Sequence, residues 1–125
     1  TGPDEYLKLI EAIKRDAFGV HMDLVNMINC PERYFFPEQF MQDCFTKLKG
    51  KICSCHIKDI RLLAPFTFQL EECACGDGVL PLETYAKLAG EEDEKMPMII
   101  EHLSSEQAYL DSMKYVKERL KEFIV

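Results

Sequence analysis

With 125 residues and 47% apolar content, the chain fits one packed domain rather than a disordered tail. Its 15 Lys and Arg against 22 Asp and Glu give a net charge of −7, a field that repels phosphate backbones and argues against nucleic acid as a partner. No apolar run reaches about 18 residues, and the amino end lacks a basic-then-apolar signal, so no membrane partner and a cytoplasmic location are expected.

Pro3 followed by Asp4 and Glu5 is a helix start, and Tyr6, Ile10 and Ile13 share one face, which predicts a helix over 3–15. "FGVHMD" (18–23) reads as a short buried strand ending at a carboxylate. Pro37 opens a second helix with Phe40, Met41, Cys44, Phe45 and Leu48 on one side and Gly50 just past its end. "KICSCHIKD" (51–59) is the next strand. Phe66, Phe68 and Leu70 alternate with polar residues as a short strand does, and Gly76-Asp77-Gly78 marks a turn. Leu82, Tyr85, Leu88 and Ala89 have helical spacing up to Gly90. "MPMIIE" (96–101) is another apolar strand closed by a carboxylate. Ser104 and Gln107 have capping-box spacing ahead of a last helix striped by Tyr109, Met113, Val116, Leu120 and Ile124. Helices and strands alternate without a linker, which predicts one α/β unit with parallel strands joined by crossovers.

In such folds, polar groups at strand carboxyl ends are where chemistry is built. Three strands here end in Asp23, His56 and Glu101. Alternate residues of a strand share a face, so His21 and Asp23, Ile52, Ser54 and His56, and Ile99 and Glu101 are expected to point one way. The other face, with Val20, Met22, Cys53, Cys55, Ile57, Met98 and Ile100, is apolar and expected to lie under helices. Cys53 and Cys55 then pack as small hydrophobes. The six cysteines accompany segments that can make their own core, so reduced thiols are expected rather than a disulfide framework. A zinc site pairing Cys53-x-Cys55 with Cys73-x-Cys75 is the alternative, with a spacing unlike the common knuckles. One imidazole and two carboxylates suit Mn²⁺, Mg²⁺, Co²⁺ or Zn²⁺. The competing reading is structural, since acidic residues at strand ends also cap helices and histidines are often only hydrogen-bonded.

"FGVHMDLVN", "CHIKDI", "CGDGVLPLETYAKL" and "MIIEHL", taken together, resemble the carboxyl-terminal half of the sugar phosphate isomerase/epimerase family, the xylose isomerase-like (β/α)8 barrels. The resemblance runs from about Phe18 to Leu120. It implies a divalent-metal site in which Asp23 matches the family's aspartate, His56 its histidine and Glu101 its second glutamate. The family's first glutamate has no counterpart and is expected upstream of Thr1. A full barrel takes about 250 residues, so the expectation is half of a TIM barrel. It is either the downstream piece of a longer protein, as the absent initiator methionine suggests, or a half completed by a second copy in a homodimer.

The resemblance further implies a sugar or sugar phosphate as the small-molecule partner. The metal polarises a carbonyl and a carboxylate moves the neighbouring proton, and Glu101 is the expected catalytic acid/base. His21, Asn26, Lys58, Arg61 and Glu72 are the expected substrate contacts, with a solvated loop as the plain alternative for Lys58 and Arg61. Asn26 stands where several relatives have a histidine, which argues against the related AP endonucleases and leaves the sugar open. Asp59 and His102, one step out of phase, are expected to order loops or support the ligands. The isolated half is expected to bind metal weakly and to turn nothing over. A non-catalytic binding or assembly module retaining the barrel fold is the reading from another class.

Overall fold

The computed structural model describes residues 2–63 and 67–124. Helix α1 (Pro3–Ile13) begins on Pro3 with Asp4 and Glu5 in its first turn, where acidic side chains face unpaired N–H groups. It ends two residues earlier than its pattern predicts, because Lys14 adopts a left-handed φ of 49° and breaks the helical run. Strand β1 (Val20–Met22) leads straight into a one-turn helix, α2 (Leu24–Met27), capped by the Asp23 side chain. A short helix that the sequence pattern did not reveal, α3 (Pro31–Phe35), precedes α4 (Pro37–Lys47). Lys47 of α4 reaches back to Asp4 of α1 at 3.1 Å.

Strand β2 (Ile52–Ile57) runs parallel to β1. After it the chain departs from simple alternation. Strands β3 (Asp59–Leu62) and β4 (Leu70–Cys73) form an antiparallel hairpin of their own, and the expected strand around Phe66 to Leu70 starts only at Leu70. Phe66 lies outside the described residues. Helix α5 (Leu82–Glu92), strand β5 (Met98–Ile100) and helix α6 (Glu106–Arg119) complete the order. The cap of α6 is Ser105, whose side chain accepts from the Ala108 N–H, rather than Ser104. The difference is a shift of one residue in a run of two serines.

The main sheet has the order β1-β2-β5, all parallel. One face is buried under the helical layer: Met22, Cys55 and Ile57 are completely covered, as are Met41, Cys44 and Leu48 of the α4 region. The Tyr85 hydroxyl of α5 lies 2.9 Å from the His56 carbonyl and 3.3 Å from the Met22 carbonyl, so one helix residue ties the ends of β1 and β2. The other face is open, with His21 and Ile99 exposed.

The expected two-residue parity fails at one point. Val20 pairs with Ile52, but His21 pairs with Ser54, so the register slips by one residue at Cys53. Ile52 therefore lies buried beside Val20 on the helix side, not with Ser54 and His56. Cys53 is exposed, with its thiol 3.4 Å from the Val20 carbonyl, and does not pack under the helices; Cys55 does. All six cysteines are free. Among the described residues no helix is long and apolar enough to cross a membrane.

Candidate metal centre at the strand ends

Three side chains from three chain segments meet beyond the carboxyl ends of β1, β2 and β5. Asp23, His56 and Glu101 each offer a ligand atom, and these atoms lie within 4.8 Å of one another. His56 Nδ1 is 3.1 Å from Asp23 Oδ2 and 2.6 Å from Glu101 Oε1. Among the described residues no other group of three metal-ligating side chains converges in this way, and the cysteine quartet forms no such group.

Local structure explains the aim of each ligand. Asp23 is the first residue after β1 and caps α2: Oδ1 accepts from the Asn26 N–H at 3.1 Å, and Oδ2 from the Asn26 side-chain amide at 2.7 Å. Both bonds fix its carboxylate toward the sheet end. Burial works to raise its pKa, but the His56 contact, the Asn26 N–H and Lys58 together hold it below the ordinary 3.8. His56 belongs to β2 itself and keeps the open-face orientation after the register slip. Glu101 follows β5 directly.

Lys58 is a central member of the cluster and is not in a solvated loop. Only 2% exposed, its ammonium lies 2.9 Å from Glu101 Oε1, 3.1 Å from Asp23 Oδ2 and 3.2 Å from Glu72 Oε1. Burial alone lowers a lysine pKa, but these three carboxylates outweigh it and the net shift is upward from 10.5. Glu72 reaches the cluster from the hairpin strand β4. His102, out of phase by strand parity, adopts a left-handed φ of 57° and stays exposed at the rim of the cluster. Its Nδ1 lies 2.7 Å from Glu72 and 3.3 Å from the Lys58 ammonium.

The remaining expected contacts divide. His21 is brought in: its ring meets the His56 ring edge-on at 3.8 Å between centroids, and its Nδ1 contacts the Ser54 hydroxyl. Partial burial, and next the His56 charge, lower its pKa from 6.5. Asn26 holds Asp23 and lies 3.5 Å from the Lys58 ammonium. Arg61 is not brought in. It sits exposed on β3 with its guanidinium on Glu71 at 2.5 Å, because the hairpin, absent from the sequence pattern, carries it outward. Asp59 is fully buried and accepts from the backbone N–H groups of Ile60, Gly76, Gly78 and Leu80, pinning the turn after β4 against β3.

The donor set fits a hard divalent cation. Two carboxylates and an imidazole supply oxygen and nitrogen ligands, and the same oxygens already gather around a cation, the Lys58 ammonium.

No protein-family model matches the chain, and no curated protein sequence does. Solved structures do. The chain is similar to a xylose isomerase domain protein from Planctomyces limnophilus, with a TM-score of 0.74 and 24% identity over 98% of this chain and 44% of that one. It is also similar to a xylose isomerase-like TIM barrel protein from Mycobacterium smegmatis, solved in complex with magnesium, with a TM-score of 0.70 and 20% identity. That match covers 99% of this chain and 41% of the other. At these identities the likeness concerns the fold. The chain is α/β, built of parallel β/α units that correspond to part of a xylose isomerase-like (β/α)8 barrel, and it spans less than half the length of either relative.

Proposed function

We propose that this chain carries the metal-binding part of a sugar or sugar phosphate isomerase/epimerase. The observation that supports this reading most is the convergence of Asp23, His56 and Glu101 at the ends of three adjacent parallel strands. Polar groups at that end of a β/α barrel are where its enzymes work. The magnesium bound by the Mycobacterium smegmatis protein is in keeping with a hard cation on such a frame.

Asp23, His56 and Glu101 would hold the ion, of which Mn²⁺, Mg²⁺, Co²⁺ and Zn²⁺ all suit the donors. When bound, it would supply Lewis acidity to a substrate carbonyl. The chain's own residues do the rest. Asn26 and Lys58 keep Asp23 ionised and aimed. Glu101, half-buried and beside the open face, is the carboxylate that moves a proton on the carbon next to the carbonyl. His21 lines the open face and Glu72 the rim, where hydroxyl groups of a sugar would sit. The barrel's remaining β/α units come either from further residues of the same protein, which would bring the first glutamate of the family's site, or from a second copy, which has no counterpart of it.

A second reading, a binding or assembly module without turnover, is favoured by one observation. Lys58 already neutralises the carboxylates, as a purely structural cluster requires. Metal binding separates the two. Titration calorimetry of the metal-stripped full-length protein with Mn²⁺ is expected to give about one site per chain, weakened by roughly tenfold or more in His56→Ala and in Glu101→Gln. No Mn²⁺ binding with these residues intact leaves the module reading. Where binding is present, interconversion of ketohexoses by the complete barrel, followed by chromatography, tests the reaction, and Glu101→Gln should abolish it.

A further inference from the structure

We propose that Lys58 is a built-in competitor for the candidate metal site. Its ammonium holds the two carboxylate oxygens that a divalent ion needs, and ion binding requires the lysine to give them up. The inference rests on the metal reading above and goes beyond it by assigning the residue that sets the site's affinity.

The atoms are specific. Asp23 Oδ2 and Glu101 Oε1 are the oxygens nearest to His56 Nδ1, at 3.1 and 2.6 Å. They are the same two oxygens that the Lys58 ammonium contacts, at 3.1 and 2.9 Å. An ion bridging Asp23, His56 and Glu101 would therefore stand within a few ångströms of a positive charge. At that separation like charges repel strongly unless one of them moves. The lysine has somewhere to go. Glu72 Oε1 at 3.2 Å, His102 Nδ1 at 3.3 Å and Asn26 Oδ1 at 3.5 Å lie outside the metal-ligating trio. A small swing toward Glu72 frees both oxygens without leaving a buried ammonium unpaired. Without a metal ion, the ammonium keeps three carboxylates of one cluster from repelling one another. Lys58 is thus a positioning residue with two settings: a counter-ion to the trio, or a partner of Glu72.

The test uses the metal-stripped protein and Mn²⁺ alone, with titration calorimetry for affinity and calorimetric melting for stability. Lys58→Met is expected to bind Mn²⁺ about tenfold tighter than wild type or better. It should melt roughly 5 °C lower in the absence of metal and gain more stability from Mn²⁺ than wild type does. Lys58→Gln, which keeps amide donors for Glu72 and Asn26 but carries no charge, guards against a folding defect and should also bind tighter. Lys58→Arg keeps the charge and should stay near the wild-type affinity. Wild type that binds Mn²⁺ together with folded Lys58→Met or Lys58→Gln that bind it no tighter overturns the inference while leaving the metal reading in place. Binding by the uncharged variants but not by wild type supports the inference and overturns the metal reading for the natural sequence. Absence of binding in all of them overturns both.

Discussion

Asp59 and His102 show how much a single residue's surroundings decide. Asp59 adjoins Lys58 in sequence, yet its carboxylate is turned into the protein, where Oδ1 accepts from Ile60 and Leu80 at 2.8 and 2.9 Å and Oδ2 from Gly78 and Gly76 at 3.0 and 3.2 Å. Four N–H donors converging on one buried carboxylate make it the organiser of the turn over 74–80, not a ligand. Gly78 is part of the same arrangement, since a Cβ there would overlap Asp59 Oδ1 and the Ile60 carbonyl. Asp59→Asn puts an amide N–H against N–H donors and is expected to cost about 3 kcal/mol in urea unfolding, while Mn²⁺ affinity falls much less than in Glu101→Gln. Equal losses of metal affinity in the two variants would show that Asp59 acts in the site itself. That a carboxylate one step out of phase with the face of His56 orders a loop is legible from strand phase. The same phase argument assigns His102 a supporting place, and its ring lies 2.7 Å from Glu72 and 3.6 Å from Glu101; only its left-handed φ of 57° is hidden, because no period in the sequence encodes a sign change in φ.

At the scale of elements, the readable features were those with a strong local cause. Pro3 and Pro37 start helices where expected, and the apolar stripes of α4 and α5 face the core, whereas the stripe of the last helix does so only at its carboxyl end, with Val116 and Leu120 buried and Tyr109 and Met113 exposed. Hidden were the features set by pairing between distant segments. The β3–β4 hairpin carries short mixed strands whose partner choice is not written in their composition, and it explains why Glu72 reaches the cluster while Arg61 does not. The slip between Val20 and His21 is likewise a property of two strands together. Its consequence is chemical. Cys53 is exposed and Cys30 half-buried, whereas burial pushes the thiol pKa of Cys44 and Cys73 up to about 12 and that of Cys55 and Cys75 up to about 11. Thiolate is the reactive form, so iodoacetamide at about pH 8 should label Cys53 and Cys30 well before the other four, read by peptide mass spectrometry. Labelling of Cys55 at the rate of Cys53 would mean that the strand has no slip and both thiols share one environment.

For the molecule as a whole, one sheet face is closed by helices and the other is open, so stability rests on the closed side, which is where the neutral titratable groups are collected. Tyr85 is completely buried and its pKa is driven well above 10.0, first by burial and then by the Cys55 thiol beside it. The four raised thiols add to the same bias. Each group holds its proton more tightly folded than unfolded, so its contribution is fully present below the unfolded pKa and is lost as pH rises toward the folded value. The thiols set the start of the decline, near their ordinary 9.0, and Tyr85 steepens it above 10.0. The urea midpoint of reduced protein should therefore hold steady up to about pH 8.5 and fall progressively toward pH 11. Tyr85→Phe separates the contributions: it loses the hydroxyl contacts with Met22 and His56, at about 1 kcal/mol near neutrality, and should flatten the part of the decline above pH 10. A midpoint that stays level to pH 11 in the wild type would mean that these groups are solvated, and with them the layer of helices that holds Asp23 and His56 in register.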